Sequence, residues 1–298
     1  MKETAAPKKK TAQRMKDALE RFMQILFLIC GFIAIAFVLV VTVYLILSGL
    51  PAIREIGLVD FLFGQTWASS QEQFGILPLI LTSVYGTAGA ILLGVPVGFL
   101  TAIYLAKVAP PKVAAVIRPA VDLLAGIPSV VYGLVGMMVL VPAIRVAFDL
   151  PAGDSLLAAI VVLAVMILPS IISVSETALK AVPREYEEAS LALGATELET
   201  YFRVSAPAAK SGIAAAVVLG VGRAIGEAMA ILMVAGNVAN MPNLFSSVKF
   251  LTTGIASELS YASGLQRDAL FSIGLVLFLF IMLINVILNV FLKRSKED

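Results

Sequence analysis

Gly220-Val221-Gly222-Arg223-Ala224-Ile225-Gly226-Glu227 sets two full charges inside the run from Ile213 to Asn237, which is otherwise apolar. A run of that length spans a bilayer, since a crossing helix needs roughly 20 apolar residues. A charge near the middle of such a helix costs about 2.5 to 3.5 kcal/mol on insertion scales, so both residues need a reason to be there. Their spacing of four puts them on one face of a helix, one turn apart. An intramembrane pair of this kind faces a bundle interior or a water-filled path rather than lipid. The fold therefore turns on whether the rest of the chain supplies a bundle.

The composition says that it does. Of 298 residues, 60% are hydrophobic and 14% charged, against about 25% charged in ordinary soluble domains. Six runs are long enough to cross: Phe22 to Leu47, Gly75 to Ala106, Val113 to Ile144, Ser155 to Ser175, Ile213 to Asn237 and Ala269 to Leu292. The second and third are long enough to tilt, bend or break. These runs predict an all-α integral membrane protein of six transmembrane helices. It divides into a basic N-terminal segment (1–21), one membrane domain (22–292) and a short tail (293–298). No stretch remains for an independent soluble domain.

Several chemistries are excluded. The chain has no histidine, which removes His-dependent hydrolysis and most zinc and haem sites. Cys30 is the single cysteine and lies inside the first run, so no internal disulfide or thiolate metal site is available. No cofactor, no metal and no catalytic residue is expected, and no nucleic-acid partner. The basic N-terminus followed by an apolar run resembles a signal peptide. The 26 uncharged residues from Phe22 to Leu47 exceed a typical apolar core of about 7 to 15, so a retained anchor is expected.

Lys and Arg sort by loop. Most lie before the first run, around Lys107, Lys112 and Arg118, in the fourth connection (Lys180, Arg184, Arg203, Lys210) and at Lys293, Arg294 and Lys296. Only Arg54, Arg145, Lys249 and Arg267 fall on the other side. Cytoplasmic loops are the basic ones, so both termini are expected in the cytoplasm. The first outer loop carries Phe61, Phe63 and Trp67. An interfacial helix with its aromatics at headgroup level fits, and so does a docking surface for an external partner.

Glycine and proline crowd the second and third runs, where small residues allow close helix packing. The sharpest break is Ala125-Gly126-Ile127-Pro128-Ser129. Packing alone accounts for it; alternatively a broken helix there exposes backbone polar groups and the Ser129 hydroxyl to a solute. Asp122 follows Arg118 by four and is expected to pair with it as a structural ion pair.

The connection from Glu176 to Gly212 predicts two short helices. Pro183 suits a first helical position, Glu185, Glu187 and Glu188 favour a helix start, and Gly194 ends that helix. Thr196 with Glu199 is a capping-box pattern that opens the second.

These residues resemble the EAA loop of ABC importer permeases. The segment reads Glu188-Ala189-Ser190, Leu191-Ala192-Leu193, Gly194, with Val204-Ser205-Ala206-Pro207 beyond. Ser190 stands where that family has a second alanine. Further segments resemble the permeases of phosphate-specific (Pst) importers: Phe74 to Pro78, Gly126 to Gly133, Ser173 to Glu176 and Arg223 to Glu227. Val130-Val131-Tyr132-Gly133 and the long N-terminal region are more similar to the PstC-type than the PstA-type subunit. The resemblance implies the type I (MetI-like) permease fold and phosphate import across a bacterial cytoplasmic (inner) membrane. It implies a second permease subunit (PstA-like), an ATPase dimer (PstB-like) and a phosphate-binding protein (PstS-like) as partners, besides membrane lipid. It also implies that Glu188, Ala189, Ser190 and Gly194 couple the chain to the ATPase. The chain agrees on one point: it has no Gly-Lys dipeptide, hence no P-loop of its own.

Arg223 lies eleven residues beyond Gly212, about 16 Å along a helix and close to the centre of a layer about 30 Å thick. Its planar fork of donors matches phosphate geometry, and Glu227 is expected to hold it when no anion is bound. Arg223, Glu227 and Ser129 are therefore the candidate translocation residues. Other readings remain open: a self-neutralising salt bridge or helix lock through Gly222 and Gly226, transport of sulfate or molybdate, an ion-coupled secondary transporter, or a non-transporting assembly protein.

Overall fold

The computed structural model describes residues 7–297, with side chains described for residues 16–290 apart from 18 and 289. Lys2, Lys8, Lys9, Lys10 and Arg14 of the basic segment, and Lys293, Arg294 and Lys296 of the tail, lie outside the described side chains. The chain divides into two units at Ser48 and Gly49. The first is most of helix α1 (Pro7–Ile56). Its apolar side chains are exposed all round, as a lipid-facing span requires.

The second unit is built around α7 (Leu156–Lys180), most of whose apolar residues are buried. Its N-terminal N–H groups, which a helix leaves unpaired, are all provided for. Ser155, Leu156 and Leu157 donate to the carbonyls of Val234, Ser246 and Leu244, at 3.1, 3.2 and 2.9 Å, and the Ser155 hydroxyl accepts from Ala158. The irregular chain after residue 234 is thereby pinned to the end of α7.

Against one side of α7 lies α3 (Leu77–Ile103), extended by a widened π-type turn over Tyr104–Val108. Gly89, Gly94 and Gly98 of α3 sit on Ile160, Ile167 and Ile171 of α7. A Cβ at any of them would meet those side chains at under 3.0 Å, so the glycines expected to allow close packing do so. Against another side packs α11 (Lys210–Gly226), whose Gly220 sits on Ile171 and whose Gly212 sits on Ala178.

The third run is not one helix. α4 (Pro111–Gly126) ends where Ile127 turns extended, and α5 (Ser129–Val135) begins after Pro128. A π-type turn (Gly136–Leu140) and α6 (Val141–Ala147) follow. Only Ser129–Ala147 is long and apolar enough to cross alone. Among the described residues five helices meet that test, or six when the bent pair Glu197–Ala208 and Lys210–Gly226 counts as one. The break at Pro128 falls where the sequence placed it. The expected Arg118–Asp122 pair does not form: Arg118 reaches Glu176 of α7 at 2.6 Å and the Leu105 carbonyl at 3.0 Å, because the fold brings a buried carboxylate to it from another helix.

The first outer loop is also less interfacial than its aromatics suggest. α2 (Leu58–Phe63) buries Phe61 completely. A two-stranded hairpin, β1 (Trp67–Ala68) and β2 (Gln73–Phe74), sets Trp67 opposite Phe74, with the rings edge-to-face at 5.3 Å. The indole N–H of Trp67 donates to Glu258 at the end of α13 (Leu251–Glu258), and Lys249 and Gln266 also bind that carboxylate. Only Phe63 of the three aromatics is left exposed. The last long helix, α14 (Gly264–Glu297), is tied to Gly49 through the Ser272 hydroxyl at 2.5 Å.

Candidate functional site

α11 stops at Gly226. Glu227 already has extended backbone, with ψ of 130°, and the chain resumes as α12 (Met229–Val234). The end of the helix between Arg223 and Glu227 gives the two charges different partners. One Glu227 carboxylate oxygen accepts the backbone N–H of Ala230 at 3.0 Å, and its main-chain carbonyl accepts the Thr252 hydroxyl at 2.8 Å. Among the described residues no ion pair joins Arg223 to a carboxylate. The pair expected from the spacing is therefore absent, because Glu227 caps the next helix instead.

Arg223 is half-buried. Its Nη1 donates to the Ser170 hydroxyl of α7 at 3.4 Å. Tyr132 donates to the Leu124 carbonyl at 2.7 Å, satisfying a group freed at the end of α4. Ser129 opens α5 and is half-buried; no hydrogen bond joins it to Arg223 or Glu227 among the described residues. The helices that Ser129 and Glu227 introduce do touch, since Gly133 of α5 lies against Ala230 and Met233 of α12. Gly222 and Gly226, proposed from sequence as a small packing face, have open space where a Cβ would stand.

A second group of site residues lies in the segment 176–212. α8 (Arg184–Ala192) starts one residue later than the sequence suggested, with Pro183 at the capping position. Glu188 and Ala189 are exposed, and the Ser190 hydroxyl meets that of Thr200 at 2.9 Å. Gly194 has φ of +89°, a conformation that glycine adopts without strain. The capping box forms at α9 (Glu197–Thr200): the Thr196 hydroxyl accepts from Glu199 N–H, and Glu199 accepts from Thr196 N–H. A π-type turn over Tyr201–Ser205 and α10 (Ala206–Ala208) lead into α11. Leu193 is 90% exposed, and Tyr186, Leu191, Leu198 and Phe202 are exposed around it.

Sequence reading missed what anchors these helices. Glu187 pairs with Lys107 at the end of α3 and accepts the Ser205 hydroxyl at 2.8 Å. Glu176 binds both Arg118 and Lys180, each at 2.6 Å. The only signal available was an apolar context for charges: Glu176 and Lys107 flank membrane runs. Ser170 and Tyr132 carried a weaker one, as polar groups inside such runs.

Residues 94–296 match the family described as binding-protein-dependent transport system inner membrane component. A Bacillus subtilis protein described as the probable ABC transporter permease protein YqgH is 39% identical over 267 residues, 86% of each chain. The phosphate transport system permease protein PstC of Haemophilus influenzae is 34% identical over 294 residues, 91% of each chain. Among solved structures, a chain of the inward-facing MetNI methionine ABC transporter superposes with a TM-score of 0.55 at 22% identity. That superposition covers 74% of this chain and 94% of that one, a likeness of fold.

Proposed function

We propose that this chain, which belongs to the family of binding-protein-dependent transport system inner membrane components and is an ABC transporter permease subunit, carries inorganic phosphate into the cell. The observation that carries this reading is the half-buried Arg223 guanidinium without a carboxylate partner. A cation at that depth needs a counter-charge. Phosphate, with oxygens that fit the guanidinium fork, supplies one transiently. Glu227 places the end of α11 through its bond to Ala230, and its second carboxylate oxygen adds negative charge nearby. That charge keeps anion binding weak enough for release. Ser129 lines the neighbouring break in the helix.

The segment 176–212 lies on the cytoplasmic side in this reading, as do both termini. Its exposed Glu188, Ala189 and Gly194, with the surrounding leucines, dock on a separate ATPase dimer, and Ser190 braces them through Thr200. A second permease subunit completes the pathway, and an external phosphate-binding protein delivers the anion. The name of the Haemophilus influenzae relative supports phosphate as cargo.

The test is to copurify the chain with these partners and assay the complex in proteoliposomes. ATP-dependent phosphate uptake is expected, with sulfate neither carried nor stimulating ATP hydrolysis. Equal uptake of sulfate would overturn the cargo, and flux without ATP would overturn the transporter class.

A further inference from the structure

Two of the cavities along α7 are separated by their chemistry. One, of about 450 Å³, is walled by Val131, Val135, Val139, Val161 and Val165. Tyr132 also lines it, but its hydroxyl already donates to the Leu124 carbonyl, so an anion there would lose its hydration and gain no hydrogen bond, a heavy cost. The other, of about 240 Å³, is lined by Arg118, Asp122, Ser173, Glu176, Thr177 and Lys180. Liquid water takes about 30 Å³ per molecule, so this cavity has room for a tetrahedral oxyanion together with water.

Ser170, Ser173 and Thr177 connect the polar cavity to Arg223. Their spacing of three and four sets them on one face of α7, over about 10 Å of its length. Ser170 accepts a hydrogen bond from Arg223 at one end, and Ser173 and Thr177 line the cavity at the other. Ser170 and Ser173 are half-buried and Thr177 is exposed, so access to water increases along the row. Ser170 accepts from Arg223, and among the described residues its own hydroxyl hydrogen has no acceptor. The same holds for Ser173, so both hydroxyls have a donor to offer.

We propose that the cytoplasmic half of the anion path runs down this hydroxyl face of α7, from Ser170 beside Arg223 to the cavity where Arg118 and Lys180 share Glu176. This rests on the reading of Arg223 as the mid-membrane anion contact. Neutral hydroxyls suit an anion in transit, because those of Ser170 and Ser173 each replace a water hydrogen bond without the hold of a full charge, while the Thr177 hydroxyl, which donates to the Ser173 carbonyl at 2.8 Å, only lines the mouth. At the exit Arg118 and Lys180 offer N–H donors to the anion, and Glu176, already bound to both, together with Asp122 balances their charge and keeps the anion from being retained.

The test uses the full permease–ATPase complex with Cys30→Ser as background. Ser170, Ser173 and Thr177 are replaced singly by Cys, and Val165→Cys serves as a control on the exposed apolar side of α7. A membrane-impermeant anionic thiosulfonate is added from the cytoplasmic side. All three are expected to react, Val165→Cys is not, and phosphate should slow the reaction at position 170 severalfold. Reaction no faster than the control, or no phosphate protection at position 170, would overturn the route. A functional check keeps the proposal testable if a Cys variant fails to assemble. Ser170→Ala should raise the KM for phosphate uptake about tenfold, the loss of one hydrogen bond to a charged ligand, and Ser170→Thr should restore it. An unchanged KM in Ser170→Ala would count against the route. If Arg223→Gln still abolishes uptake in that case, the anion contact stands and only the route fails.

Discussion

The Glu227 carboxylate accepts the backbone N–H of Ala230 at 3.0 Å, and this bond explains why Arg223 has no ionic partner in its own helix. Ala230 lies in the first turn of α12, so the carboxylate satisfies one of the N–H groups that a helix start leaves unpaired. α11 ends at Gly226, α12 starts beyond it, and the guanidinium is left with the Ser170 hydroxyl as its hydrogen-bond partner among the described residues.

Charge and cap at Glu227 are separable. Glu227→Gln keeps an oxygen that can accept from Ala230, whereas Glu227→Ala loses it, at about 1 kcal/mol for a missing cap. Thermal unfolding of the detergent-solubilised complex should therefore fall for Ala and stay near wild type for Gln. Equal midpoints for the two variants would show that the cap is not what Glu227 contributes.

Glu187 ties α8 to the end of α3 through Lys107 and to the following π-type turn through Ser205. In Glu187→Ala the exposed contact surface of α8 is intact but its link to the membrane helices is cut. ATP hydrolysis by the assembled complex should persist while phosphate uptake per ATP falls severalfold. Unchanged stoichiometry would remove Glu187 from the transmission path.

Gly194 offers a cleaner geometric test. Nothing stands within 4 Å of the place its Cβ would occupy, so Gly194→Ala meets no clash. Its cost is the φ of +89°, about 1 kcal/mol for a residue with a Cβ. The substitution is expected to shift α9 relative to α8 and lower uptake per ATP, and a bulkier residue should lower it further. Normal coupling in both would refute the hinge role.

Glu258 makes a pH prediction. Burial pushes its pKa up, but the bonds and charge of Lys249 and the bonds from Trp67 and Gln266 win, and the carboxyl is held below its ordinary range. The folded value lies under the unfolded one, so the contribution to stability is complete above the unfolded value, about 4.3. It is lost as pH falls through the folded value. Trp67 is the only tryptophan, so its emission should hold steady down to that pH and change only below it. A transition centred at higher pH would contradict this.

What the sequence disclosed was mostly local. The Pro128 break, Gly194 and the Thr196–Glu199 box each depend on neighbours within a few residues, and each appears where the pattern put it, whereas the fifth apolar run, read as one span, is broken after Gly226. The end of α11 carries no proline, and a glutamate at the fourth position reads as an intrahelical partner until the chain is seen to turn. Arg118 and Glu176 are 58 residues apart, and Trp67 and Glu258 are 191 apart. Pairings of that range depend on how the helices stack, which no spacing rule reaches. Phe61 was misjudged for the same reason, since burial by α13 and α14 is a tertiary fact.

The most direct measurement is ATP-driven phosphate uptake by proteoliposomes holding the complete complex with Arg223→Gln. Glutamine keeps an amide that can hydrogen-bond, but it lacks the charge and the fork and is shorter than arginine, whose terminal Nη1 is the atom that reaches Ser170. Assembly and basal ATP hydrolysis are expected to survive and uptake to vanish. Wild-type uptake in the assembled Arg223→Gln complex would contradict the assignment of Arg223 as the anion contact.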